Sequence, residues 1–356
     1  MLPQDKSFIL RLMYTLADFQ YDLPQELIAQ EPIHPADEAR LMLINRQTQA
    51  ISHHHIFDLP HLLPRDYFIV ANNTKVFPAR LFGHKLTGGK VEILLTSPLG
   101  HSTYRCIARP GLELGATILF ANKLVGTVTH VQDIERTMRF NQEESRLRTT
   151  LSEIGTIPTP PYIKKLLRNF NDYQTIYAKY GFSAAAPTAG LHFTPQLLTT
   201  LKNSYSWHEL TLNVGLGTFL PVKVQDLTQH HMHSESYTLS PTLTTQLQKY
   251  KSSKKLLAIG TTTMRALESN PALRPGTRST SIFIYPPYQF SQCDSLLTNF
   301  HLPGSTLLML VSAFCSAPNS PEKFHNFPDS LLGRAYTEAI RLNYRFFSFG
   351  DAMLII

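Results

Sequence analysis

Cysteine is scarce: Cys106, Cys293 and Cys315 are the only three in 356 residues, and no two share the spacing of a disulfide framework or a metal site. So sparse and odd a set argues against a disulfide-stapled secreted domain. It fits a reducing cytoplasm, with each thiol read as a small core hydrophobe. Long apolar runs are also missing. The longest, STLLMLVSAF (305–314), is about half of what a bilayer crossing requires and reads as a buried helix. The first residues scatter Asp5, Lys6 and Arg11 without a continuous apolar core, which argues against a secretory signal. There is no P-loop, no G-x-S-x-G elbow and no paired C-x-x-C, and GLGTFL (215–220) lacks the third glycine of a dinucleotide fingerprint. These gaps argue against common nucleotide hydrolases, serine hydrolases and zinc ribbons.

A hydrophobic content of 43% with 17% charged residues describes a soluble globular chain, long enough for two domains. From 66 to 140, apolar runs such as DYFIVA, GGKVEILLTS and KLVGTVTHV alternate with Gly, Pro and Asn turns, predicting short strands of a small barrel or sandwich. Glu143–Ile154 reads as a helix ended by Gly155. Beyond it, strands alternate with helices. Thr194–Pro195 and Ser240–Pro241 give helix starts, LLAIG, SIFIYP and SLLTNF read as strands, and 328–342 as an amphipathic helix. This pattern predicts an α/β core, discontinuous over 1–65 and 155–356, interrupted by an inserted β-barrel-like domain at 66–154.

Small and polar residues concentrate in AAAPTAGLHFTP (184–195), NVGLGTF (213–219) and HHMHSE (230–235). Gly and Ala let backbone approach a ligand, and histidine titrates near neutrality, so a catalytic site is the natural reading. His231, His233 and Glu235 alternate, so a strand would project all three from one face. Two imidazoles and a carboxylate can hold a metal with open positions, or act as acid, base and orienting group, the duty expected of them here. GTTTMRALES (260–269) and TNFHLPGSTL (298–307) place Gly, Thr, Asn and His between a strand and a helix, where helix N–H groups can receive an anion. In NNTKVFPAR (72–80), Arg80 offers a planar donor fork. His53–His55 reads as exposed loop. The net charge of +7 concentrates in Thr245–Thr280, with seven basic residues against Glu268 alone. Lys164, Lys165 and Arg168 form a second cluster. Such patches can follow a phosphate backbone, although they are also ordinary solvated surface.

In order along the chain, VANNTKVFPARLFG, GGKVEILL, IPTPPYI, YQTIYA, AAPTAGLHFT, VGLGTFLPV, HMHSE, IGTTTMRALES and TNFHLPGSTLLMLVSAF closely resemble the S-adenosylmethionine:tRNA ribosyltransferase-isomerases of queuosine biosynthesis. The resemblance runs from about Leu16 to the C-terminus. Two departures stand out. Asn213 occupies a position where the family usually shows His, and Phe170–Asn171–Asp172 replaces the charged residues that usually precede YQT. Residues 1–15 lie outside the match and are expected to be dispensable.

The resemblance implies transfer and isomerisation of the ribosyl group of S-adenosylmethionine onto 7-aminomethyl-7-deazaguanine at the tRNA wobble position, giving epoxyqueuosine, adenine and methionine. It also implies an α/β core with an inserted β-barrel, no metal or prosthetic group, S-adenosylmethionine as co-substrate, and a cytoplasmic location. A monomer without membrane attachment is expected. The catalytic candidates are His192, His231, His233, Glu235 and His301. Substrate contacts are expected from Asn73, Arg80, Thr188, Gly190, Gly215, Gly217, Thr261, Thr262, Arg265, Glu268 and Asn299. Among these, Arg80 or Arg265 would bind the methionyl carboxylate, and Asn299 or Glu268 the ribose. Contacts to tRNA are expected from Lys164, Lys165, Lys251, Lys254 and Lys255. Two rival classes are an S-adenosylmethionine-dependent RNA methyltransferase and a noncatalytic RNA-binding protein.

Overall fold

A strand covered on both faces needs no polar alternation, and Tyr67–Asn72 has none: it is buried at every position. It sits inside a nine-stranded sheet of the computed structural model, which describes residues 14–165, 167, 169–215 and 222–356. Of the expected terminal extension (1–15), residues 1–13 lie outside the described residues, as do Arg168 and Gly217. Tyr14 and Thr15 are docked, Tyr14 Oη donating to the Phe324 carbonyl at 2.7 Å and Thr15 bridging to Asp226. The sheet order is Gly276–Thr280, Glu235–Leu239, Ser206–Leu212, Tyr67–Asn72, Lys255–Ile259, Ser295–Asn299, Ala352–Ile355, Arg40–Ile44 and Ile51–His55. The four strands from Ser206–Leu212 to Ser295–Asn299 run parallel. Successive side chains alternate between faces, so Phe68 and Val70 join one core with Met264, Phe300 and Phe314, while Tyr67 and Ile69 join the other with Phe193 and Leu197. Thr194, Ser240, Ser305 and Ser330 each cap a helix by accepting an N–H from the first turn.

Six strands, Arg80–Lys85, Lys90–Gly100, Thr103–Arg109, Thr117–Leu119, Val125–Gln132 and Glu135–Phe140, close into a separate antiparallel barrel. Its interior holds Leu81, Ile93, Tyr104, Cys106 and Met138, to which the helix Glu144–Ile154 adds Leu147 and Leu151. The chain leaves and rejoins the core at a two-stranded neck, where Arg80 and Thr156 exchange backbone hydrogen bonds of 3.1 and 2.8 Å. The architecture is thus an α/β core with an inserted β-barrel.

Three local expectations are corrected. The boundary does not fall at residue 66, because Tyr67–Asn72 is paired on both sides within the large sheet. SIFIYP is not a strand. The strand lies before it at Gly276–Thr280, and Ile282, Phe283 and Ile284 pack on the core instead of entering a ladder. His53–His55 is not a loop but belongs to the edge strand Ile51–His55, paired with Arg40–Ile44. His53 there meets Tyr344 Oη at 2.7 Å and Glu338 at 3.2 Å.

Candidate active site

Parallel strands bring their C-terminal ends to one edge of the sheet, the usual position of ligand sites in open α/β folds. Here Gly260–Thr262 follow one strand and Thr298–Leu302 end the next. With Ala185–Ala189, Val214, Tyr162 and Phe347–Ser348 they line a pocket. Gly260 has φ +86°, a left-handed value that glycine adopts without strain, and it turns the chain into the helix Thr261–Glu268. Unlike the four capped helices, this one has no side-chain cap, and its first residues, Thr261 and Thr262, line the pocket.

Asn299 ties the pocket together. Its Nδ2 donates to the Phe347 carbonyl at 3.2 Å and lies 3.2 Å from His192 Nε2, while its Oδ1 accepts from Thr188 at 3.1 Å. The Phe347 carbonyl fixes the amide orientation, so His192 Nε2 must be the acceptor. His301 Nε2 lies 3.0 Å from Thr298 Oγ1, and its backbone N–H donates to Tyr336. Burial lowers the His192 pKa to about 4, helped by Arg345, and burial lowers that of His301 to about 3. Both imidazoles are therefore neutral at physiological pH. Neither titrates near neutrality, as residue type alone suggested.

The second site is an open cleft between core and barrel. Asn213, Gly215 and His231–Ser236 form one wall, and Ser97, Arg105, Ile107 and Ile134 belong to the other. His231 and His233 precede the strand Glu235–Leu239 instead of alternating within it; both are exposed, and Glu235 is buried. Glu235 accepts from the Gly215 N–H at 3.0 Å and pairs with Arg265 Nη1 at 2.5 Å. Arg265 is 3% exposed, and its Nε and Nη2 have no hydrogen-bond partner among the described residues. A buried guanidinium holding a buried carboxylate fixes its orientation. Val214 lines the pocket and Gly215 the cleft, so one dipeptide separates the two.

Other candidates fall elsewhere. Arg80 is engaged by Glu92 at 2.8 Å on the barrel. Glu268 accepts backbone N–H groups of Ser291, Gln292 and Cys293, so its oxygens anchor a loop; burial nonetheless pushes its pKa up. Asn73 bonds Glu209 and Thr211, whereas the neighbouring Asn72 reaches Thr262 at 3.2 Å. Gly190 makes room for Tyr177: a Cβ there would lie 2.0 Å from its hydroxyl. Lys164 and Lys165 flank Tyr162 near the pocket, with Lys165 paired to Glu31. Lys251, Lys254 and Lys255 lie at the start of the strand Lys255–Ile259, the end opposite Gly260. Tyr162, Phe347, Ser348, Arg105 and Ile134 escaped sequence reasoning, because their segments carry no Gly- or His-rich signature. Among the described residues, no group of three or more His, Cys, Asp or Glu could hold a metal.

Residues 16–355 match the family described as queuosine biosynthesis protein. Among curated relatives, S-adenosylmethionine:tRNA ribosyltransferase-isomerase of Symbiobacterium thermophilum is 46% identical over 96% of this chain and 99% of its own length. The enzyme of the same name from Carboxydothermus hydrogenoformans is 44% identical, with the same coverage. A crystal structure of S-adenosylmethionine tRNA ribosyltransferase from Thermotoga maritima aligns with 95% of this chain and all of its own, at 34% identity and a TM-score of 0.52. A family match over nearly the whole length and relatives above 40% identity lead to one conclusion: the chain belongs to the queuosine biosynthesis protein family.

Proposed function

We propose that this protein transfers and isomerises the ribosyl group of S-adenosylmethionine onto 7-aminomethyl-7-deazaguanine at the wobble position of tRNA, releasing adenine and methionine. The observation that carries the reading is the adjacency of a narrow pocket and an open cleft across Val214–Gly215. One suits a small co-substrate and the other a base presented by a macromolecule. The uncapped N–H groups at Thr261 and Thr262 suit the methionyl carboxylate. Thr188 and Asn299 suit ribose hydroxyls.

The sulfonium acidifies its neighbouring C5′–H, so a base can form a ylide there; adenine then leaves C1′ more easily when a ring nitrogen is protonated. Exposed His231 and His233 serve as the groups that exchange protons, while buried Glu235 and Arg265 orient the wall beside them. The neutral His192 and His301 act through hydrogen bonding, with little capacity to deliver protons at pH 7. The enzyme acts as a cytoplasmic monomer, with no metal or prosthetic group taking part. Among the described residues, no helix is long and apolar enough to cross a membrane.

The test is nucleoside mass spectrometry on precursor-bearing tRNA incubated with the protein and S-adenosylmethionine. Epoxyqueuosine together with free adenine is the expected result. A methylated nucleoside with adenine retained would instead identify a methyltransferase, and an unchanged nucleoside would leave only RNA binding.

A further inference from the structure

The barrel carries charge that its own fold does not use. Between residues 80 and 140 there are eight lysines and arginines against four acids, a net of +4 in a chain whose total is +7. In the strand Thr103–Arg109, Tyr104, Cys106 and Ala108 point into the barrel core, which sends Arg105 and Arg109 outward. In Glu135–Phe140, the inward Met138 and Phe140 likewise leave Arg139 outside. Thr103 is opposite Arg139 and Thr137 opposite Arg105, so the two arginines are diagonal neighbours on one face, about 7–8 Å apart.

All three arginines are exposed, and among the described residues none has an ion pair or a side-chain hydrogen bond. Acids stand close by without forming an ion pair with them: Glu92, opposite Arg109, is paired with Arg80, and Glu135, opposite Ile107 and so diagonal to Arg105 and Arg109, lines the same opening together with Asp133. Arg136, by contrast, is spent on the carbonyls of Leu112, Asp133 and Glu135. This face runs into the cleft, because Arg105 and Ile107 line the same opening as His231 and His233. The lysine cluster of the core has no such continuity. Lys255 begins the strand whose far end reaches the pocket, five residues or roughly 16 Å away.

We propose that the outer barrel face bearing Arg105, Arg109 and Arg139 is the docking surface for the phosphate backbone of the RNA substrate. The inference rests on the tRNA-modifying function proposed above. Guanidinium forks match phosphate oxygens, and their spacing is of the order of that between neighbouring phosphates of one strand. The barrel holds the backbone while the cleft receives the base.

The experiment measures binding of an unmodified tRNA transcript to the full chain by fluorescence anisotropy across a salt series, with conversion of precursor-bearing tRNA assayed in parallel. The triple variant Arg105→Ala/Arg109→Ala/Arg139→Ala should bind at least ten-fold more weakly and flatten the log–log salt slope by about one unit for each phosphate that is no longer neutralised. The triple Arg→Lys variant should keep most of the slope. Lys251→Ala/Lys254→Ala/Lys255→Ala should leave the slope unchanged. If the alanine triple fails to fold, the single exposed change Arg139→Glu is read in the same way. An unchanged slope in the barrel variants, or a slope carried by the core lysines, overturns the proposal while wild-type conversion upholds the function. Absence of both binding and conversion in the wild type overturns both.

Discussion

Acidification should destabilise the core through two buried histidines, one lining the pocket and one behind Asn299. In the folded protein His192 and His301 are neutral, with pKa values lowered to about 4 and about 3. In the unfolded chain both return to about 6.5. The unfolded state therefore takes up protons first as pH falls. Stability is fully present above pH 6.5 and is lost progressively below it, until the folded values are reached. Between pH 7 and pH 5, linkage assigns a loss of about 2 kcal/mol to each histidine, or about 4 together. That is a large share of the 5–15 kcal/mol typical of folded proteins. Trp207, the only tryptophan, lies in the core strand Ser206–Leu212, so its fluorescence reports core unfolding separately from the barrel. Urea titrations at pH 7, 6 and 5 should show each of His192→Gln and His301→Gln losing about 2 kcal/mol of this pH dependence, whatever the variant costs at pH 7. Curves parallel to the wild type across the three pH values would refute the assignment of buried neutral imidazoles.

His233→Ala should lower turnover on the order of 10²-fold or more while leaving the melting temperature unchanged, since the side chain is exposed. Glu235→Gln should behave differently: it strips the charge facing buried Arg265 and should cost about 3–5 kcal/mol of stability in chemical denaturation. S-adenosylmethionine bearing two deuteriums at C5′ should yield a modified nucleoside that has exchanged one for solvent hydrogen. Retention of both, with no deuterium gained from heavy water by unlabelled substrate, would dispose of the ylide. Dialysis against a chelator should leave the rate unaltered; loss restored by an added metal would revive the metal reading of His231, His233 and Glu235.

Features set by neighbouring residues were legible in the sequence. The Thr194–Pro195 and Ser240–Pro241 starts, the buried helix Thr306–Phe314 and the helix Glu144–Ile154 are all local matters of capping and apolar spacing. Features set by distant partners were not. Whether an apolar run such as SIFIYP pairs or merely packs depends on which edge is free. The fate of Glu268 is decided by N–H groups more than twenty residues away. The strings that form the pocket could be picked out because small residues and hydroxyls cluster at strand ends. Asn73 and its neighbour Asn72 could not be told apart, since a strand sends adjacent side chains to opposite faces.

The strand order carries a consequence for how the chain is assembled. Apart from the bridge between Arg80 and Thr156, barrel strands pair with one another within residues 80–140, whereas Arg40–Ile44 docks on Ala352–Ile355, which in turn pairs with Ser295–Asn299. Local closure is entropically easier than closure across three hundred residues. During synthesis the barrel is therefore expected to fold while the core still waits for its last strand. Until then, Leu43 and Leu297 lack Leu354, the residue that sits between them in the finished sheet, and Leu41 lacks Ala352. A chain stopped short of Ala352 would hold a finished barrel on an unfinished sheet, which makes it a substrate for proteolysis, with residues 80–154 as the fragment expected to survive.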